Sequence, residues 1–369
     1  MAERAPRLLI ALHRLGSGGV ERVALHLANG LAARGNAVTL ALVRGDGELI
    51  GKVSPQVAVR QLAGGERTGR GLRLAAMGGA LAGVIRAERP DVLLSPGNHM
   101  HLAALLAHRR AGVADCRLAL KFTNPIERDP PRGPPNALRR AFFRFAARRA
   151  DTLLVLSEAA QRQAAALLPA SLAAKLRQVD NPYVEQAMAD RRDQDLPPPP
   201  GPPLLLSIGR LTAQKDQAMM LDALAGLVHL PWRLMLLGEG PLRSALAEQA
   251  TRLGIADRVE LAGYVDDPAP LLRQARAFLL SSRYEELPAV LFEALAARCP
   301  IVATSASPTI VDLFGDRALL SPPGDVTAYR AQLAAELAQP KTAPDPAEYL
   351  TRFSIAAGVA SHAAALGLL

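Results

Sequence analysis

The run Leu196-Pro197-Pro198-Pro199-Pro200-Gly201-Pro202-Pro203 cannot enter a helix interior or a central strand. Each proline fixes φ and removes a backbone N–H, so the run predicts a stiff connector over 184–203. Similar patterns stand on either side of it. Upstream, residues 7–12 predict a buried strand and Gly16-Ser17-Gly18-Gly19 a tight turn. Residues 20–33 then predict a helix whose Val20, Val23, Ala24, Leu27 and Leu31 share one face. Strands at 37–43, 92–95, 118–122 and 152–157 follow, with helices at 72–87 and 102–109 between them. Downstream the pattern restarts. Strands at 204–208, 234–237, 259–261, 277–280 and 301–303 alternate with helices near 215–228, 241–253, 268–275 and 288–298. Such alternation predicts parallel, doubly wound α/β sheets. The expected organisation is a first domain over 1–183, a connector over 184–203 and a second domain over 204–351. A C-terminal helix at about 352–369 is expected to pack back on the first domain. Two such domains leave a cleft, and sheets of this kind bind ligands at the carboxyl ends of their strands.

At 369 residues the chain is long enough for two full cores. It holds no run of 18 uncharged apolar residues, so no membrane-spanning helix is expected. Residues 1–7 are charged and lead straight into a strand, unlike a leader peptide, so a cytoplasmic protein is expected. Cys116 and Cys299 make neither a disulfide framework nor a metal-ligand spacing and read as buried fillers. The net charge of +9 is uneven. Residues 1–183 carry 27 Lys+Arg against 13 Asp+Glu, and 184–369 carry 16 against 21. The basic half suits an anionic partner such as a membrane surface or a phosphorylated acceptor. No aromatic platform or RNA-binding module accompanies it, so nucleic acid is not an expected partner.

Ser281-Ser282-Arg283-Tyr284-Glu285-Glu286-Leu287-Pro288 joins a predicted strand to a predicted helix that carries Glu293. Pro288 suits the first helical position. Free N–H groups of that first turn attract phosphate. Helical side chains lean toward the N-terminus, so Glu293 reaches back to the mouth beside Glu285. Anion donors next to two hydroxyl-accepting carboxylates suit a ligand with phosphates and many hydroxyls, such as a nucleotide sugar.

Four elements of the second half lie where strands hand over to helices or turns. They are Gly209-Arg210-Leu211 with Lys215, Gly238-Glu239-Gly240-Pro241, Gly263-Tyr264-Val265, and the Glu285/Glu293 pair. Together with Gly18-Gly19-Val20-Glu21 and Asn181-Pro182, their order and spacing resemble the retaining glycosyltransferases of family 4. The resemblance covers nearly the whole chain. It implies a GT-B fold of two Rossmann-like domains, a nucleotide-sugar donor carrying UDP or GDP, and no metal or other cofactor. It gives Arg210 and Lys215 the donor diphosphate and Glu285 the donor sugar, as the catalytic set. Glu293 takes the ribose hydroxyls, and Tyr264 and Val265 lie beside the base. Gly209, Glu286 and Leu287 complete the donor side, and Gly18 and Gly19 let backbone approach the transferred sugar.

Three positions depart from the family's pattern. Glu286 stands where a glycine is usual, and its side chain is expected to crowd the donor sugar or to charge the phosphate site. Lys121-Phe122-Thr123-Asn124-Pro125 lacks a histidine common in the family, and Asn124 is expected to keep the role. Ser307-Pro308-Thr309-Ile310-Val311-Asp312 replaces a basic–acidic signature. Asn98, His99 and Asn124 are the expected acceptor residues, with His101 as an alternative to His99. Residues 136–150 predict a basic helix with Leu138, Phe142 and Phe145 on one face. That face either enters the first core or lies on an anionic membrane. The implied activity is hexose transfer to a glycan or lipid-linked acceptor in cell-surface polysaccharide synthesis, by a cytoplasmic enzyme peripheral to the inner membrane face. A nucleotide-sugar 2-epimerase of similar fold and a non-catalytic scaffold are the other readings.

Overall fold

The computed structural model describes residues 4–16, 18–62, 70–126, 136–185, 200–339 and 345–368. Ser17, connector residues 186–199 and the side chains of the basic stretch 69–73 lie outside them. Two compact units emerge, one of Met1–Tyr183 with Arg352–Leu369 and one of Val184–Thr351.

The first unit is built on seven parallel strands. They are β1 (Arg7–Leu12), β2 (Ala37–Leu42), β3 (Ala58–Gln61), β4 (Val92–Ser95), β5 (Arg117–Lys121), β6 (Thr152–Val155) and β7 (Leu176–Gln178). Their order across the sheet is β3-β2-β1-β4-β5-β6-β7. Central strands are buried on both faces, which is why β1 and β4 read as unbroken apolar runs. β3 was not foreseen. Three of its four residues are exposed, so a single edge pairing with β2 rather than an apolar run makes it a strand. Helix Gly19–Ala33 buries Val23, Ala24, Leu27 and Leu31, so the predicted stripe is the packed face.

The C-terminal helix, Ile355–Leu366, is fastened to this unit by polar contacts as well as packing. Lys121 ends β5 at 1% exposure, and its ammonium donates to Asn181 Oδ1 and, at 2.9 Å, to His362 Nε2. His362 Nδ1 in turn lies 2.8 Å from Gly358 O, which fixes the tautomer with the proton on Nδ1. Asn181 Nδ2 donates to Tyr183 at 2.6 Å. Burial drives the Lys121 amine down to about 7 and, with the Lys121 charge second, holds His362 well below the ordinary histidine value. A side chain at Gly358 would collide with the Pro182 backbone, so only glycine lets the helix this close.

The second unit repeats the plan with β8 (Leu204–Ile208), β9 (Arg233–Leu237), β10 (Val259–Gly263), β11 (Ala277–Leu280), β12 (Ile301–Thr304) and β13 (Ala318–Ser321). Their order is β10-β9-β8-β11-β12-β13, again all parallel. Its core centres on Trp232, Leu205, Leu234, Leu279 and Tyr329, with Trp232 Nε1 donating to Leu227 O at 2.9 Å. No described helix is long and apolar enough to cross a membrane.

Candidate active site

In a doubly wound sheet the strand order reverses once, and the loops leaving the two strands on either side of that point diverge to leave a crevice. In the second unit the reversal falls between β8 and β11. Arg210 and Lys215 follow β8, and Glu285 follows β11. The topology therefore makes neighbours of residues 70 positions apart in the chain.

Lys215 Nζ lies 2.7 Å from Glu285 Oε1, with the two side chains 18% and 11% exposed. Ser282 Oγ also donates to Glu285 Oε1, at 3.0 Å. The two loops are stitched by Arg283 N to Gln214 O at 2.8 Å, Gln214 Nε2 to Tyr284 O at 3.1 Å and Ser281 Oγ to Lys215 O at 2.9 Å. Arg283 also pairs with the buried Asp216 at 2.8 Å. Asp216 holds φ +49°, a left-handed conformation that costs a non-glycine residue free energy. Arg210 is exposed, and its guanidinium makes no contact of this kind with described residues. Among the described residues the guanidinium has no partner, and Arg210 shares the segment after β8 with the paired Lys215.

Glycines let the neighbouring strand ends converge. Gly238 has φ +129° and donates its N–H to Gly263 O at 2.6 Å. A Cβ on Gly238 would strike Gly209 O, and one on Gly240 would strike Leu211 O. Tyr264, just past β10, is 52% exposed.

Helix Ala289–Ala296 begins one residue later than the sequence suggests. Pro288 is its N-cap, with an extended ψ of 127°, rather than its first helical residue. Proline offers no capping side chain, and of the first-turn N–H groups that of Leu291 donates to Pro288 O at 3.2 Å. Glu293 sits on the second turn at 6% exposure, and Leu287 is buried at the loop's end.

Glu286 is where the sequence expectation needs correcting. Its carboxyl is turned to Thr309, whose Oγ1 donates to Oε1 at 2.7 Å, and the residue is 6% exposed. Burial raises its pKa to about 7, against the smaller opposing effect of the Thr309 bond. It is a buried, hydrogen-bonded carboxyl rather than a freely projecting one. Ser282, Thr304, Ser307 and Thr309 are polar residues to which sequence reasoning gave no role. Their signal was hydroxyls clustered just after β11 and at and after the end of β12.

In the first unit the reversal falls between β1 and β4. Gly18 and Gly19 follow β1, Asn98 and His99 follow β4, and Asn124 follows β5. Asn98 Oδ1 accepts from Thr123 N at 2.9 Å and Thr123 Oγ1 at 3.1 Å, tying two of these loops together. Glu21 folds back over Gly18, where any Cβ would collide with its carboxylate. His13 and His99 are exposed and held below the ordinary histidine value, first by desolvation, while Glu21 opposes that shift in both. His101 is not available to a ligand: it is fully buried, bonded to Ser95 Oγ at 2.8 Å, and lowered to about 3 by burial.

Helix Asn136–Arg149 divides its phenylalanines. Phe143 enters the core at 1% exposure, whereas Leu138 and Phe145 are 59% and 36% exposed. Phe142 stacks on Phe145 with ring centroids 6.4 Å apart, and the Arg149 guanidinium lies 3.8 Å over Phe145. Of the predicted Leu138/Phe142/Phe145 face, Phe142 packs partly buried against the core while Leu138 and Phe145 stand exposed.

Two family models match the chain. The one described as Glycosyltransferase Family 4 matches residues 17–182, and the one described as Glycosyl transferases group 1 matches 202–339. The lipopolysaccharide core biosynthesis glycosyltransferase LpsE of Rhizobium meliloti is 34% identical over 132 residues, covering 36% of this chain and 38% of the relative. An N-acetylgalactosaminyltransferase of Campylobacter jejuni, which its name places on a diphospho-undecaprenol acceptor, is 33% identical over 112 residues, 30% of each chain. The chain thus aligns with about a third of the length of these curated relatives. Among solved structures, the lipopolysaccharide outer core galactosyltransferase WaaB in its apo form has a TM-score of 0.72 at 19% identity, covering 98% of this chain and 99% of that one. Anabaena Alr3699/HepE in complex with UDP and glucose has a TM-score of 0.76 at 18% identity, covering 99% and 100%. At these identities the likeness establishes the fold, two Rossmann-like domains of GT-B type.

Proposed function

Because the chain belongs to the family 4 and group 1 glycosyltransferases, we propose that it moves a hexose, with retention, from a nucleoside diphosphate sugar to a glycan or lipid-linked acceptor. The setting is cell-surface polysaccharide synthesis at the cytoplasmic face of the membrane. The observation that carries this reading is the Lys215–Glu285 contact at 2.7 Å at the reversal of the second sheet, with the exposed Arg210 in the same segment after β8 as Lys215. The bond from the anomeric carbon to the phosphate oxygen breaks, and its electron pair stays on the diphosphate. Arg210 and Lys215 offset that charge. The acceptor hydroxyl bonds to the anomeric carbon on the face the diphosphate leaves, and its proton passes to a phosphate oxygen. No protein base is required, in keeping with the absence of a histidine at 122–125.

Glu285 takes hydroxyls of the donor sugar and Glu293 those of the ribose. Tyr264 and Val265 lie at the base, and Gly209 and Leu287 complete the donor side. In the first unit Gly18 and Gly19 serve the transferred sugar, and Asn98, His99 and Asn124 serve the acceptor. The UDP ligand of the Anabaena neighbour and the lipid-linked acceptor named for the Campylobacter relative support these substrate classes. The exposed Leu138 and Phe145 among arginines support docking on an anionic bilayer.

The test is transfer from UDP- and GDP-hexoses, with the anomeric configuration of the product read by NMR. R210A, K215A and E285A are expected to lower turnover about a hundredfold or more while melting normally. Near-normal turnover in all three would refute the site, and an inverted product would refute retention.

A further inference from the structure

Glu286 and Thr309 are both departures from the family's pattern, and in the structure they meet. Among the described residues, the loop carrying Glu285 is fixed to the end of β12 and the segment after it by at least four hydrogen bonds. They include Thr304 Oγ1 to Ser282 O at 2.6 Å, Glu285 N to Ala306 O at 3.2 Å, Ser307 Oγ to Glu286 O at 2.8 Å, and Thr309 Oγ1 to Glu286 Oε1 at 2.7 Å. The last joins side chain to side chain. Ser307 also caps the helix Pro308–Phe314 by accepting from Ile310 N at 3.2 Å, so that end of the brace is itself held.

Glu286 is not among the residues with positive φ, so the backbone at this position does not call for glycine. What glycine cannot supply is the bond to Thr309. A buried carboxyl is costly unless hydrogen-bonded, and the rise of Glu286 to about 7 reflects that cost. Thr309, at 1% exposure, is the buried partner that makes it tolerable. The peptide of Glu286 follows that of Glu285, whose carboxylate must meet Lys215 and a sugar in one geometry.

We propose that Glu286 is a positioning residue: braced by Thr309, its side chain sets the loop so that the Glu285 carboxylate faces the donor sugar, in place of the glycine and the basic–acidic signature found elsewhere in the family. This rests on the donor-site reading above. It assigns Glu286 to the support of Glu285 rather than to a ligand.

The experiment measures release of nucleoside diphosphate from UDP-glucose, UDP-galactose, UDP-N-acetylglucosamine and GDP-mannose by the full chain, and binding of free UDP and GDP by calorimetry. Misplacing a catalytic group by about an ångström costs up to about a hundredfold. E286A, E286G and T309V are expected to lower kcat between about ten- and a hundredfold, leave nucleoside diphosphate affinity within about twofold, and melt as cooperatively as wild type. E286Q keeps the acceptor oxygen and is expected to restore most of kcat. The double variant E286A/T309V should be no worse than E286A, because both remove one bond. Wild-type kcat in E286A and T309V, additive losses in the double variant, or failure of E286Q to rescue would overturn the proposal. E285A separates the two levels. If E285A is inactive while E286A and T309V are normal, the brace alone fails. If E285A turns over like wild type, the donor-site reading fails and the brace with it.

Discussion

Replacing Lys121 by methionine tests the buried polar tie between β5 and the C-terminal helix without touching the proposed chemistry. The amine is 1% exposed and lowered from 10.5 to about 7 by burial. A lowered amine means that the folded chain binds fewer protons than the unfolded chain between those two values, so stability rises with pH across that window. Below pH 7 the burial penalty is full, about 5 kcal/mol, and it fades as pH approaches 10.5. Between pH 7 and pH 9 the wild type regains about 2 kcal/mol through this one group. K121M cannot titrate and loses that slope. At any single pH the outcome is a near balance, because the variant sheds the penalty but leaves Asn181 Oδ1 and His362 Nε2 without their donor, at about 1–3 kcal/mol each. The difference in slope is therefore the informative quantity. Trp232 lies in the second unit, so the reporter should be pulse-labelled hydrogen exchange over Ile355–Leu366 in a urea series. The expected result is a stability difference that moves about 2 kcal/mol in favour of wild type from pH 7 to pH 9. Parallel pH curves would refute the buried, depressed amine.

Two further outcomes follow from the geometry. L138D/F145D places charge on two exposed apolar positions and should abolish salt-sensitive binding to anionic phosphatidylglycerol vesicles while leaving the core, filled by Phe143, intact; unchanged vesicle binding would exclude this helix as the docking face. G238A drives a Cβ into Gly209 O at a φ of +129° and should destabilise the second unit by about 1–3 kcal/mol with loss of nucleotide binding, read by Trp232 fluorescence in urea.

The strands whose residues are buried on both faces were legible because burial leaves an apolar signature. β1, β8 and β11 occupy the predicted residues. β3 escaped because it is an exposed edge, and β7 and β13 because each buries only one residue and so lacks the unbroken buried run. The expected donor-side positions Arg210, Lys215, Tyr264 and Glu285 lie in segments that follow strands, and the order reversal brings β8 and β11 side by side, whereas Glu293 stands on the second turn of a helix. Non-local partnerships were not legible. Lys121 meets His362 across 241 positions and Glu286 meets Thr309 across 23, and nothing local marks either pair. Pro288 shows how a correct residue preference still misses by one position, since proline suits both the cap and the first turn.

The central claim is that the second unit holds a nucleoside diphosphate sugar through Arg210, Lys215, Glu285 and Glu293. Calorimetric titration of UDP, GDP and ADP, and of their hexose conjugates, into wild type and into K215A and E293A tests it most directly. The account predicts that one nucleotide binds, that K215A and E293A each weaken it at least about tenfold, about 1.4 kcal/mol, and that E285A weakens only the sugar conjugate. Failure of every nucleotide to bind, or binding undiminished in K215A and E293A, would contradict it.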